Sequence, residues 1–117
     1  DTFSSRGLGD VYKRQTYVGP GTEWLPNALV ERDKLGHGNN GELDEDSGLF
    51  LKQTDIRQLE VGDLGLLKGE GWKNNQGNGL VHRSPQKTDD YKRLYMTIDF
   101  VDLYLKIYNN RFNRFLD

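Results

Sequence analysis

The sequence predicts a mainly β domain of the barrel or sandwich type, and three observations carry that prediction. Residues 92–100 (KRLYMTIDF) alternate apolar and polar side chains over the whole run, as a strand with one buried face does. Several shorter apolar runs are separated by loops rich in Gly and Asn, the pattern of short strands joined by tight connections. Residues 16–18 (TYV), β-branched and aromatic, read as the end of a further strand entering a tight loop.

Taken in order, Thr16, Tyr17 and Val18 form a β-branched and aromatic triplet that runs into the Gly-Pro-Gly turn at 19–21. Glu23, Trp24 and Leu25 precede Pro26, which disfavours helix at Leu25 and predicts a short extended segment. Asn27 is placed to cap a brief helix over residues 28–32. Residues 35–48 (LGHGNNGELDEDSG) offer almost nothing apolar and read as a mobile, solvated loop. Its carboxylates, Glu42, Asp44, Glu45 and Asp46, do not follow the ligand spacing of a calcium-binding helix-loop-helix site. Ile56 and Leu59 lead into the turn at 60–63 and a strand over residues 64–69. A second Gly/Asn loop at 70–79 precedes the apolar segment 80–84. In the strongest strand the predicted buried face is Leu94, Met96, Ile98 and Phe100. Residues 102–117 form a tail with two readings: Tyr104, Tyr108, Phe112 and Phe115 or Leu116 lie at helical spacing, which favours a C-terminal helix, while Leu103, Leu105 and Ile107 also fit a strand.

Composition narrows the functional classes. In 117 residues only 34% are hydrophobic, 29% are charged and 14 are Gly, a thin supply of apolar surface for a complete core. The net charge of -2, with both signs interspersed, argues against a nucleic-acid partner. No run has the length and apolarity of a membrane span, and no secretory leader pattern is present. The absence of Cys removes disulfides, thiolate metal sites and a Cys nucleophile, and is compatible with a cytoplasmic location.

Residues 4–15 (SSRGLGDVYKRQ) resemble translated sequencing-adapter read-through from metagenomic assemblies. Residues 1–15 are therefore set aside as a non-native leader, with few core contacts expected before Thr16. Residues 16–101 then form an incomplete β-barrel domain.

Two His are present. His37 lies between Gly36 and Gly38 in the polar loop and reads as solvent-exposed, whereas His82 ends an apolar segment in the sequence GLVHRSP. His82 is followed eleven positions later by Arg93, at the start of RLYMTIDF. This order resembles the double-stranded β-helix oxygenases, in which a distal metal-binding His precedes a basic residue that grips the 2-oxoglutarate carboxylate. More narrowly, TYVGPGTEWLPN, LLKGEGW, GLVHRSP and RLYMTIDF, in this order, resemble a bacterial family catalogued as domain of unknown function 1826, over residues 16–100.

The oxygenase resemblance implies a partial double-stranded β-helix, cupin-like, with His82 as a metal ligand and Arg93, Ser84 and Thr97 as cofactor-binding residues. It also implies Fe(II) and 2-oxoglutarate in an intact parent. The H-x-D half of the ligand set is not found in the sequence, so neither group is expected on this chain. His82 and Arg93 are expected on neighbouring antiparallel strands, facing one pocket. The rival reading is a non-catalytic β-barrel binding or regulatory module, and a third is a metal-homeostasis protein that binds zinc.

Overall fold

The computed structural model describes residues 2–5, 11–86 and 92–99, with the side chains of residues 11–14 and 99 left aside. Among the described residues there are six strands: β1 (Val11–Val18), β2 (Glu23–Leu25), β3 (Arg57–Gln58), β4 (Leu64–Lys68), β5 (Val81–Arg83) and β6 (Leu94–Asp99). They form two three-stranded sheets, ordered β4-β1-β6 and β3-β2-β5, and every pairing is antiparallel. The mainly β expectation holds, and among the described residues the sheets do not close into a barrel. No helix among them is long and apolar enough to cross a membrane.

The chain changes sheets at the Gly-Pro-Gly turn, and the turn needs its glycines. Gly19 sits at φ +82°, where a side chain is strained, and a Cβ there would meet the Lys92 carbonyl at 2.6 Å. At Gly21 a Cβ would lie 1.9 Å from the Leu59 carbonyl. This close approach lets Leu59 donate its backbone N–H to the Thr22 carbonyl at 3.0 Å, so the turn is fastened on both sides.

The brief helix expected at 28–32 is replaced by two 3-10 turns, Asn27–Leu29 and Arg32–Lys34. Asn27 makes no cap; its side chain accepts from Arg32 and donates to Asn78 instead. A polar side chain with distant partners to bind has no need of the local cap.

The core is small. Phe3, Leu25, Leu49, Phe50 and Val81 form it, with Val30, Leu35 and Ile56 packed against them. Phe3 meets Phe50 edge-on at 6.0 Å between ring centroids. Ser4 and His82 exchange backbone hydrogen bonds of 2.9 and 3.0 Å. The expectation of few core contacts before Thr16 is therefore not met at Phe3, and β1 runs through residue 16 without a break.

Two burial expectations are reversed. In β6 the apolar face is the open one: Leu94, Met96 and Ile98 are 59%, 40% and 42% exposed, while Tyr95 and Thr97 are half-buried. The strand does have one more protected face, but it is the face of Tyr95 and Thr97, where buried Thr16 stands in register with Tyr95 and Arg93 bonds the turn at Pro20 and Thr22. The 35–48 loop, expected to be solvated, carries buried Asp44 and Ser47 and leads directly into buried Leu49 and Phe50. The expected helix of residues 102–117, and Phe100, lie outside the described residues.

Candidate functional site

β2 is the organising element, because it pairs with β5 while the turn before it holds the start of β6. Trp24 stands opposite His82, and Glu23 opposite Arg83. Arg93, just ahead of β6, donates from Nε to the Pro20 carbonyl and from Nη2 to Thr22 Oγ1, each at 2.9 Å. Its guanidinium also stacks on Tyr95, 4.3 Å from the ring centroid. The three segments GPGTEW, HRSP and RLY, far apart in sequence, thus meet around residues 19–24.

The predicted pocket residues are not assembled as expected. His82 lies on β5 and Arg93 leads into β6, and these strands belong to different sheets, so the expected hairpin pairing is replaced by separate attachments to β2 and its turn. The polar span between them does not bring β5 and β6 together, because β6 finds its partner in β1. Ser84 follows β5 and is half-buried; Thr97 sits on β6, in register with Arg14. Arg93 and Thr97 fall on the same face of β6 by strand alternation, whereas His82 belongs to the other sheet and Ser84 follows it.

His82 is half-buried, and its Nδ1 lies 3.0 Å from the Leu80 carbonyl. A carbonyl only accepts, so Nδ1 donates in this contact and Nε2 is the ring nitrogen left to face other partners. A metal-binding imidazole is oriented in this same manner. A three-ligand metal site requires more. Among the described residues no group of three or more His, Asp or Glu is placed to hold a metal ion, so they do not supply a complete three-ligand iron centre.

Arg83, which strand alternation places on the opposite face of β5 from His82, is the centre of a buried charge cluster. It is 6% exposed and makes three ion pairs, each at 3.0 Å: Nε to Glu23, Nη1 to Asp44 and Nη2 to Glu45. Its guanidinium also lies over the Phe3 ring at 4.2 Å, and Asp44 accepts a further bond from the Phe3 N–H. Burial alone would lower the Arg83 pKa, but the bonds and charges of Glu23, Glu45 and Asp44 outweigh it and raise the value. Burial pushes Glu45 up, and its backbone hydrogen bond and Arg83 together bring it below its ordinary value. This hub explains why the acidic loop is ordered: Arg83 carries it onto the core. The sequence signal was the acidic cluster itself, which has the charge to match one buried Arg.

Between the two sheets lies a cleft of about 250 Å³, lined by Thr22, Trp24, Leu59, Leu67, Leu80 and the Gly65-Leu66 stretch of β4. The lining holds no carboxylate, imidazole or amine, and its one hydroxyl, Thr22 Oγ1, accepts from Arg93. Such a surface can hold an apolar group by desolvation, but it offers no general acid, base or nucleophile.

Comparison with known families gives one match: the profile described as "Protein of unknown function (DUF1826)" covers residues 14–99. No curated protein and no solved structure matches the chain.

Proposed function

We infer the function of this chain from the premise that it belongs to the DUF1826 family of proteins of unknown function: it is a non-catalytic binding module that recognises a small apolar group between its sheets. The observation that carries this reading is the cleft beside Trp24, whose walls are apolar and free of titratable groups. Its volume is slightly below the ~300–1,000 Å³ of most small-molecule sites, so it suits an aliphatic or aromatic moiety of a larger ligand. Arg93, in this reading, is structural. It fastens the turn that forms one wall, through Pro20 and Thr22.

The test uses Trp24 as the reporter. In the Trp72→Phe chain, titration with a medium-chain alkyl carboxylate should change Trp24 fluorescence saturably, and Leu80→Lys, a charge at the cleft wall, should remove the response. A linear, non-saturating change in the Trp72→Phe chain would end this reading.

One observation favours a second reading, a double-stranded β-helix oxygenase-like protein in which His82 is one metal ligand. The Nδ1 contact to Leu80 holds the ring in the tautomer that a metal ligand needs. The remaining ligands would have to come from outside the described residues, and Arg93, Ser84 and Thr97 would line the co-substrate side. Under this reading, cobalt(II) affinity of a longer family member falls strongly on replacement of its His at this position. Unchanged affinity would exclude it.

A further inference from the structure

We propose that the cleft beside Trp24 continues into a cationic pocket and that the two together hold one amphipathic molecule, a medium-chain monocarboxylate with its tail in the cleft and its head at Arg32 and Lys68. The proposal rests on the apolar-cleft reading and adds to it the chemistry of the head. The second pocket, of about 160 Å³, is lined by Asn27, Arg32, Lys68, Asn75 and Asn78, with Leu25 and Val81 of the core behind them. It shares Leu66 and Leu80 with the cleft, so the two cavities meet at those residues. With volumes of about 250 and 160 Å³, they jointly enter the ~300–1,000 Å³ range of small-molecule sites.

The order of the lining is the same along two elements. On β4 it passes from Gly65 and Leu66 in the cleft to Lys68 in the pocket, and through β2 it passes from Thr22 and Trp24 to Leu25 and Asn27. Leu80 is fixed at the junction, where it donates its N–H to the Lys68 carbonyl at 2.9 Å. The strand from Gly65 to Lys68 spans about 10 Å at ~3.4 Å per residue, a length that a medium-chain acid covers from tail to head.

The chemistry changes between the two ends. The pocket lining holds two cations, three amides and no carboxylate, where the cleft offers a single hydroxyl. Arg32 is held in place by part of its fork: Nε and Nη2 donate to Asn27 Oδ1 at 3.0 and 2.7 Å, and Nη2 to the Gly79 carbonyl at 2.8 Å. Nη1 makes no hydrogen bond among the described residues. It faces Glu70 at 3.7 Å, and that carboxylate already accepts from the N–H groups of Gly77 and Gly79. Lys68 makes no ion pair among the described residues, and its Nζ stands 5.5 Å from the centroid of the Trp72 ring. Asn27 donates to Asn78, and Asn75 to the Gly69 carbonyl, so the amides brace the wall and the two cations set the sign of the head. A fixed guanidinium with one open nitrogen, beside a second cation and at the end of an apolar cleft, matches a carboxylate on a hydrocarbon chain.

The experiment is calorimetric titration of the full chain with octanoate, 1-octanol and octylamine. Octanoate should bind about tenfold more tightly than 1-octanol, because the carboxylate gains charge-assisted bonds that a hydroxyl does not, and octylamine should bind more weakly than either. Lys68 is exposed on an edge strand, so Lys68→Gln tests the head with little risk to the fold. It should shrink the octanoate advantage severalfold and leave 1-octanol affinity unchanged. Equal binding of octanoate and 1-octanol, or octylamine as tight as octanoate, would overturn the head site and leave the apolar cleft standing. An octanoate advantage unchanged in Lys68→Gln would overturn it too. The absence of saturable binding by all three ligands would end the cleft reading and this proposal with it.

Discussion

Replacement of Arg83 with Met is the perturbation that the structure makes most costly. The Met side chain keeps much of the aliphatic bulk and removes the guanidinium, which leaves Asp44 at 4% and Glu23 at 16% side-chain exposure without their cation. Breaking a buried pair by deleting one partner costs about 3–5 kcal/mol, because an uncompensated charge stays buried. The Glu45 arm adds little, since that carboxylate is 35% exposed and solvent screens it. A loss of about 3–5 kcal/mol is a large share of the ~5–15 kcal/mol that holds most domains folded. Urea unfolding followed by far-UV circular dichroism would read the loss as a drop in midpoint. Arg83→Lys should recover only part of it, because an ammonium cannot present the planar fork that meets three carboxylates at once. A second cycle tests the mechanism: in an Asp44→Asn background, Arg83→Met should cost clearly less than in the parent. An Arg83→Met chain within about 0.5 kcal/mol of the parent would refute the buried-hub account, since that is the range of ordinary surface substitutions.

Three other outcomes follow from particular groups. Thr16 Oγ1 is buried and finds no hydrogen-bond partner among the described residues, so Thr16→Val should leave stability unchanged or raise it by up to ~1 kcal/mol in the same unfolding assay. Gly21→Ala forces a Cβ toward the Leu59 carbonyl and should cost more than ~2 kcal/mol, whereas Gly77→Ala, with open space and φ +76°, should show only the smaller left-handed penalty. The Glu45 pKa is lowered on folding, so its contribution is present at neutral pH and is lost as pH falls below the ordinary Glu value of about 4.3. Unfolding midpoints at pH 7 and pH 3.5 should therefore converge partly in Glu45→Gln relative to the parent.

The strands were legible because each rests on local chemistry. The alternation of residues 94–98, the turn at 60–63 and the block before Pro26 give β6, β4 and β2 where expected. Which face of β6 is covered was not legible, since periodicity shows that a strand has two unlike faces and says nothing of which one a second sheet meets. The role of Arg83 was missed for a related reason. Its three carboxylate partners lie 38 to 60 positions away, at 45, 44 and 23, and a run such as ELDED looks solvated until a buried cation is placed beside it. For His82 and Arg93, spacing suggested a hairpin, whereas the pairing of β6 with β1 is a long-range choice that no local motif encodes.

In the proposed binding-module reading, Arg93 fastens the wall of an apolar cleft rather than anchoring a co-substrate carboxylate. The direct test is the urea midpoint of the parent and of Arg93→Ala, each with and without 2-oxoglutarate plus manganese(II). The claim predicts that Arg93→Ala loses about 1–3 kcal/mol through its bonds to Pro20 and Thr22, by the same amount in both conditions, and that the additives leave the parent unmoved. A parent midpoint raised by 2-oxoglutarate and manganese(II), with that rise absent in an otherwise equally stable Arg93→Ala chain, would contradict it.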